Sequence, residues 1–240
     1  MKRSDYTSRK PRGRPRSFDR DEALERAMEV FWRRGFEGAS LNDLTGAMGI
    51  NPPSLYAAFG DKEHLFLEAV ERYLAKRGDE CPYEDAPTAQ EAIEKLLTYT
   101  ATEFTRRCNP RGCLMVMAAT TSSASSARLQ SALAQHRAAS RTCLKARIDR
   151  GLAEGELPRG TDTGALADFY HAIVAGMSLQ ARDGASRKSL MAIVKAAMHA
   201  WPDRIDGSAK RVKQRPHAQR DSSRTRHSAS PSPEIVHVSK

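Results

Sequence analysis

Between Ser40 and Lys62 the chain reads SLNDLTGAMGINPPSLYAAFGDK, and that stretch contains two helix starts and two helix stops. Ser40 precedes an apolar run and Asp43 follows three residues later. At that spacing a serine oxygen accepts from the Asp43 N–H while the Asp43 carboxylate accepts from the Ser40 N–H. The helix so started at Leu41 carries Leu44, Ala47 and Met48 on one stripe. It should stop at Gly49, which takes the positive φ of a helix end without a Cβ penalty. Asn51 then caps a second helix whose first turn holds Pro52 and Pro53, where a missing N–H removes only a group with no intrahelical partner. The Ser54 N–H remains as the donor to the Asn51 side chain. Two short helices separated by a glycine-centred turn predict a helix-turn-helix.

On a helical wheel the second helix turns Leu55 and Phe59 inward, with Ile50 close behind, and leaves Pro53, Ser54, Tyr56 and Ala57 on the opposite side. A face of small residues with one tyrosine can approach a groove wall closely, and the major groove of B-DNA admits a helix. Gly60 ends this helix, Asp61 caps the next, and Lys62 stands in its first turn. A cation there is mildly unfavourable unless an anion shares the helix N-terminus with it. The reading is that Tyr56 and Lys62 clamp phosphates while Pro53, Ser54 and Ala57 approach base edges, with Asn51 at the entry.

The stretch FDRDEALERAMEVFWRRGFEGASLNDLTGAMGINPPSLYAAFGDKEHLFLEAVERY, residues 18–73, resembles the N-terminal DNA-binding domain of the TetR/AcrR family of bacterial transcriptional regulators. The G-F-x-G-x-S turn, the S-L-Y-x-x-F helix and the D-K-E opening of the following helix carry the likeness. The resemblance implies an all-α homodimer: a three-helix DNA-binding unit at the N-terminus, then a helical bundle that binds a small-molecule effector and dimerises. It places Ser40, Ser54, Tyr56 and Lys62 where the family contacts DNA. It implies a repressor whose grip on double-stranded operator DNA is lowered by an effector that the sequence does not identify. Pro53 and Ala58 depart from residues common in the family, so base-level contacts do not transfer.

Charge distribution fits that expectation. The chain carries +10, with eight basic and two acidic groups in residues 1–20 and nine and four in residues 203–240, so the segment between is close to neutral, at −1. A near-neutral body with cationic ends suits a polyanionic partner. In the arm KPRGRPRSF, Arg12, Arg14 and Arg16 alternate with Gly13 and Pro15, either as a segment following the minor groove or as a solubilising leader. The expected organisation is a disordered basic arm over 1–17, the helix-turn-helix domain over 18–62 with a linking helix over 63–78, an effector and dimerisation domain over 79–202, and a disordered basic tail over 203–240. The basic start lacks the apolar core of a secretion signal, and no apolar run reaches membrane-spanning length, so a cytoplasmic protein with no membrane partner is expected. Cys81, Cys108, Cys113 and Cys143 fit a reducing compartment.

Apolar periodicity predicts helices over Phe18–Gly35, Glu63–Gly78, from Thr88 through Phe104, Cys113–Ala119, about Ser125–Gly151, Asp162–Arg182 and Ser186–Trp201. The last two carry more apolar surface than one inward stripe needs. Ala172, Gly176, Met177, Ile193, Val194 and Ala197 are therefore expected in a four-helix interface with a second copy. Tyr99, Phe104, Met115, Met117, Tyr170 and His171 are expected either to line the effector pocket or to pack as core. Cys108 and Cys113 flank a Pro-Arg-Gly break beside Arg106, Arg107 and Arg111, a setting in which a thiolate is favoured and a redox or electrophile sensor is an alternative reading. No paired Cys or His spacing supports a metal site, and no Gly-rich phosphate loop or nucleophile beside a base supports catalysis, so no cofactor and no enzyme are expected. A low-specificity architectural DNA binder is the remaining alternative.

Overall fold

The computed structural model describes residues 18–78, 85–121 and 127–202. The basic arm with Arg12, Arg14 and Arg16, Cys81, residues 122–126 and the tail from 203 lie outside the described residues. Among those described, all regular structure is helical: α1 (Arg20–Gly38), α2 (Leu41–Met48), α3 (Pro52–Phe59), α4 (Lys62–Gly78), α5 (Ala89–Glu103), α6 (Leu114–Thr121), α7 (Ala127–Ala153), α8 (Thr163–Arg182) and α9 (Arg187–Met198).

Most starts follow from local chemistry. The Asp19 carboxylate accepts from the N–H groups of Asp21 and Glu22 and opens α1. Thr88, Asp162 and Ser186 do the same for α5, α8 and α9 by accepting from the N–H three residues on. Gly35, at φ 72° and ψ 176°, interrupts α1, so its regular part ends at Arg34 and residues 36–38 form a separate turn. The expected helix ended at that glycine.

Two apolar clusters hold the described body together. Leu24, Ala27, Met28, Phe31 and Trp32 of α1 pack with Leu44 and Met48 of α2, Leu55 and Phe59 of α3, and Leu65, Phe66, Ala69, Val70 and Tyr73 of α4. Leu114, Met115 and Ala118 of α6 and Leu129 and Leu133 of α7 close the same cluster, so the N-terminal helices share their core with later parts of the chain. Edge-to-face contacts of Phe31 with Phe66 at 4.9 Å and Trp32 with Tyr73 at 4.9 Å give it directional packing. The second cluster joins α5, the C-terminal half of α7, α8 and α9 around Ile93, Leu97, Leu144, Ile148, Tyr170 and Val194. Tyr170 is fully buried there, and its hydroxyl donates to Ala197 O at 3.2 Å. Burial raises its pKa to about 12. Cys113, on the turn before α6, packs against both clusters.

Candidate nucleic-acid interface

The helix-turn-helix is built as its residues dictate. Ser40 Oγ accepts from Asp43 N–H at 3.1 Å, and Asp43 Oδ2 accepts from Ser40 N–H at 3.1 Å and from the Ser40 hydroxyl at 2.7 Å. Arg34 adds an ion pair to Asp43 at 2.8 Å. The Ser40 side-chain hydrogen bond, followed by its backbone N–H, holds the Asp43 carboxyl below its ordinary value. Ser40 is exposed beside α2, with its hydroxyl already engaged in the cap. Gly49 ends α2 at φ 67°, and Asn51 Oδ1 accepts from Ser54 N–H at 2.9 Å with Pro52 and Pro53 in the first turn of α3.

Leu55 and Phe59 fix α3 to the core and are 0% and 4% exposed, whereas Tyr56 is 48% exposed. Asn51, Pro53 and Ala57 are exposed as well, and Ser54 is half-buried. The structure therefore exposes Pro53, Tyr56 and Ala57 on the side of α3 away from its core anchors, with half-buried Ser54 at its edge. Asp61 caps α4 by accepting from His64 N–H at 2.8 Å, and that backbone hydrogen bond is the first cause of its lowered pKa. Lys62 is half-buried, with Nζ 4.6 Å from the Phe36 ring centre. Burial pushes its pKa down, with Glu37 partly opposing. A phosphate at the start of α4 would find this ammonium pre-placed on an aromatic face.

Arg20 belongs to this unit too. Its Nη2 donates to Ala58 O at 3.2 Å near the end of α3 and to both carboxylate oxygens of Glu68 on α4, at 2.8 and 2.7 Å. Its guanidinium lies 4.4 Å over the Phe59 ring. In sequence Arg20 is only a cation in a helix first turn, and nothing local marks it as a clamp on a helix 38 residues away.

The residues expected around an effector are divided. Phe104 and Tyr170 belong to the C-terminal cluster, Met115 to the N-terminal one, and Met117 is buried. Tyr99 and Phe104 are brought together across Arg77, whose guanidinium lies 5.6 and 5.3 Å from their ring centres. His171 stands apart, half-buried beside Asp168, Arg137 and Arg141. Burial lowers its pKa, against the pull of Asp168.

The cysteine surroundings differ from those expected. Cys108 is exposed, Arg106 pairs with Glu103 at 2.6 Å, and Arg111 donates to Ala185 O at 3.2 Å. Cys113 instead meets α4: the Tyr73 hydroxyl donates to its Sγ at 3.3 Å and accepts from Arg77 Nη1 at 2.7 Å. Burial, then the neighbouring Cys113, pushes the Tyr73 phenol well above its ordinary value. Nothing in the sequence around Tyr73 marks this role, which its hydroxyl takes only once α4 and the turn before α6 are docked.

The expected interface residues also divide. Met177, Val194 and Ala197 are buried within the chain's own core, whereas Ala172 and Gly176 are exposed and Ile193 is half-buried. Ala172 and Gly176 lie along α8 between Phe169, 38% exposed, and Leu179, 48% exposed. Among the described residues no helix is long and apolar enough to cross a membrane, and no three His, Cys, Asp or Glu side chains group as metal ligands.

Comparison with known proteins agrees with this geometry. Residues 23–69 match the model of the bacterial regulatory proteins of the tetR family, and residues 89–197 match a tetracyclin repressor-like C-terminal domain. The chain is 36% identical over 200 residues to the HTH-type transcriptional repressor ComR of Escherichia coli (strain K12), covering 82% of this chain and 95% of that protein. It is 30% identical over 189 residues to the repressor BdcR of the same organism, covering 78% and 91%. Among solved structures, a cysteine-substituted form of the TetR family transcriptional regulator CifR, complexed with 26-bp double-strand operator DNA, superposes with a TM-score of 0.76 at 48% identity. That match covers 79% of this chain and all of that one.

Proposed function

Because the chain belongs to the TetR family of bacterial transcriptional regulators, which bind DNA and are not enzymes, we propose that it acts in the cytoplasm as a dimeric repressor of a specific operator, released by a small-molecule effector. The observation that carries the DNA reading is the outward face of α3. Tyr56 stands 48% exposed among exposed Pro53 and Ala57 and half-buried Ser54, while Leu55 and Phe59 anchor the same helix. A helix held on one side and bare on the other is built to enter a groove. Lys62, and a Ser40 already engaged in its cap, belong to the phosphate-facing edge of this surface.

The second subunit is assigned to the row Phe169, Ala172, Gly176 and Leu179 on α8. Small residues there let helices approach, and the two large apolar side chains stay partly exposed among the described residues. Two heads so paired read half-sites about one helical turn apart. The effector is assigned to the C-terminal helices near Tyr99 and Phe104.

A thiol-sensing variant of this reading is favoured by one observation, the hydrogen bond from Tyr73 to Cys113 Sγ with Arg77 behind it. Donors aimed at sulfur stabilise its anionic forms. Unchanged operator affinity after mild peroxide treatment removes this variant.

Selection of bound duplexes from a random library at physiological salt, followed by competition against random DNA, tests the main reading. A preference of about a thousandfold or more is expected for a regulator, whereas little preference makes the protein an architectural binder.

A further inference from the structure

The carbonyls in the last turn of a helix have no intrahelical partners and are satisfied by whatever donors reach them. In α1, the turn before the Gly35 break is met from the far end of the chain. Arg182, the last residue of α8, donates from Nη1 to Trp32 O at 3.2 Å and from Nη2 to Arg33 O at 2.8 Å. The same turn is held a second time, by Trp32 Nε1 donating to Gly112 O at 3.2 Å. Gly112 is itself pressed onto α8: a Cβ there would stand 2.7 Å from Ser178 O, and the following N–H, of Cys113, donates to Ser178 Oγ at 2.8 Å. Ser178 and Arg182 are one helical turn apart, so both holds converge on one end of α8.

At the opposite end of α1, Arg20 caps α3 through Ala58 O. The regular part of α1 is therefore a rod of roughly 20 Å with an arginine clamp at each end, one reaching the reading helix and one arriving from α8. Arg182 follows directly on the exposed row Phe169, Ala172, Gly176 and Leu179.

We propose that Arg182 is a positioning residue for DNA recognition. By capping α1 from the helix that faces the second subunit, it sets where the reading helix stands relative to the dimer axis, and hence which half-site spacing the protein accepts. This rests on the two-headed reading above. Arg182 makes no contact with DNA in this scheme; it acts through α1. One base pair of altered spacing moves a half-site about 3.4 Å along the duplex and turns it about 35° around the axis, so a rigidly held head discriminates and a loosened one does not.

The test uses the full-length protein and fluorescence anisotropy with three kinds of duplex: the selected operator, the same operator with its centre lengthened or shortened by one or two base pairs, and a duplex carrying a single half-site. The wild type should prefer native spacing by roughly tenfold, within the usual range of coupling between sites. Arg182→Met should bind the single half-site like the wild type while its spacing preference collapses toward unity, and Arg182→Lys should retain part of it. Should Arg182→Met aggregate, Trp32→Phe carries the test: it removes the bond to Gly112 O, with part of the packing on Tyr73, while leaving Arg182 in place, and must relax spacing in the same direction at unchanged half-site binding. The proposal is overturned if the variants keep the wild-type ranking of spacings, or if half-site binding falls as much as operator binding, which would make Arg182 a support of the head's own fold. A wild type indifferent to spacing overturns it together with the two-headed reading, whereas a discriminating wild type with unchanged variants overturns the role of Arg182 alone.

Discussion

Replacing Lys62 by alanine separates a phosphate clamp from a base reader. One phosphate contact contributes about 0.9 to the slope of log K against log salt, and at physiological salt that is worth about fivefold in affinity, or about 1 kcal/mol. A dimer on a full operator loses the contact twice, so the slope should fall by about 1.8 and the affinity by roughly thirtyfold, equally for operator and random DNA. The free protein should hardly notice. Losing the contact with Phe36 removes about 0.5–1 kcal/mol of cation–π attraction. Removing a cation from the first turn of α4 returns a few tenths. A pH signature accompanies this. Burial holds Lys62 below its ordinary 10.5 in the free protein, and a phosphate would draw it back up. Binding then takes up protons between the depressed free value and the restored bound one. Wild-type affinity should therefore fall as pH rises through that alkaline window, and the Lys62→Ala variant should not share that fall. Anisotropy titrations at several salt concentrations and pH values measure all of this. A variant that changes preference at one base pair while keeping the wild-type salt slope would refute the assignment.

Other perturbations follow from the same geometry. Glu25 accepts from Arg72 at 2.7 Å and from Lys76. Burial alone would raise its pKa, but the hydrogen bonds from Lys76 and Arg72 outweigh it and hold the carboxyl low. That stabilisation is present above the unfolded value and lost as pH falls through the folded one. Glu25→Gln should accordingly cost about 1 kcal/mol in urea unfolding at pH 7, and the difference from the wild type should shrink as pH falls through the lowered folded value. Gly112→Ala places a Cβ 2.7 Å from the Ser178 carbonyl on a backbone at φ 83°. The positive φ and the overpacking together should cost about 2–4 kcal/mol, read as a lower denaturant midpoint at unchanged slope. Leu179→Glu puts a charge in the exposed apolar row of α8, and sedimentation should show it monomeric at micromolar concentrations where the wild type is a dimer; a monomeric wild type would sink the interface.

Features whose partners lie within four residues are legible in the sequence. The Ser40–Asp43 box, the Gly49 stop, the Asn51–Pro52–Pro53 start and the Asp61 cap all form as expected, because a side chain three residues from a free N–H needs nothing else to find it. The exposed side of α3 was readable in part: helical periodicity puts Ala57 opposite Leu55 and Phe59 and Tyr56 on the flank, roughly 100° from Leu55 and 60° from Phe59, and both are exposed. Periodicity was less informative on α8 and α9, where it marked apolar positions without dividing those that face the chain's own core, Met177, Val194 and Ala197, from those left open, Ala172 and Gly176.

Docking alone decided the links that join one helix to another. The sequence surrounds Cys113 with Arg106, Arg107 and Arg111, yet its sulfur meets Tyr73 on α4, 40 positions earlier. Arg20 reaches Ala58 across 38 positions, Trp32 reaches Gly112 across 80 and Arg182 reaches Trp32 across 150. A long cation at a helix end reads the same whether it is solvated or clamping another helix. Which of these it does depends on the relative placement of whole helices, a sum over many apolar contacts that no local pattern encodes.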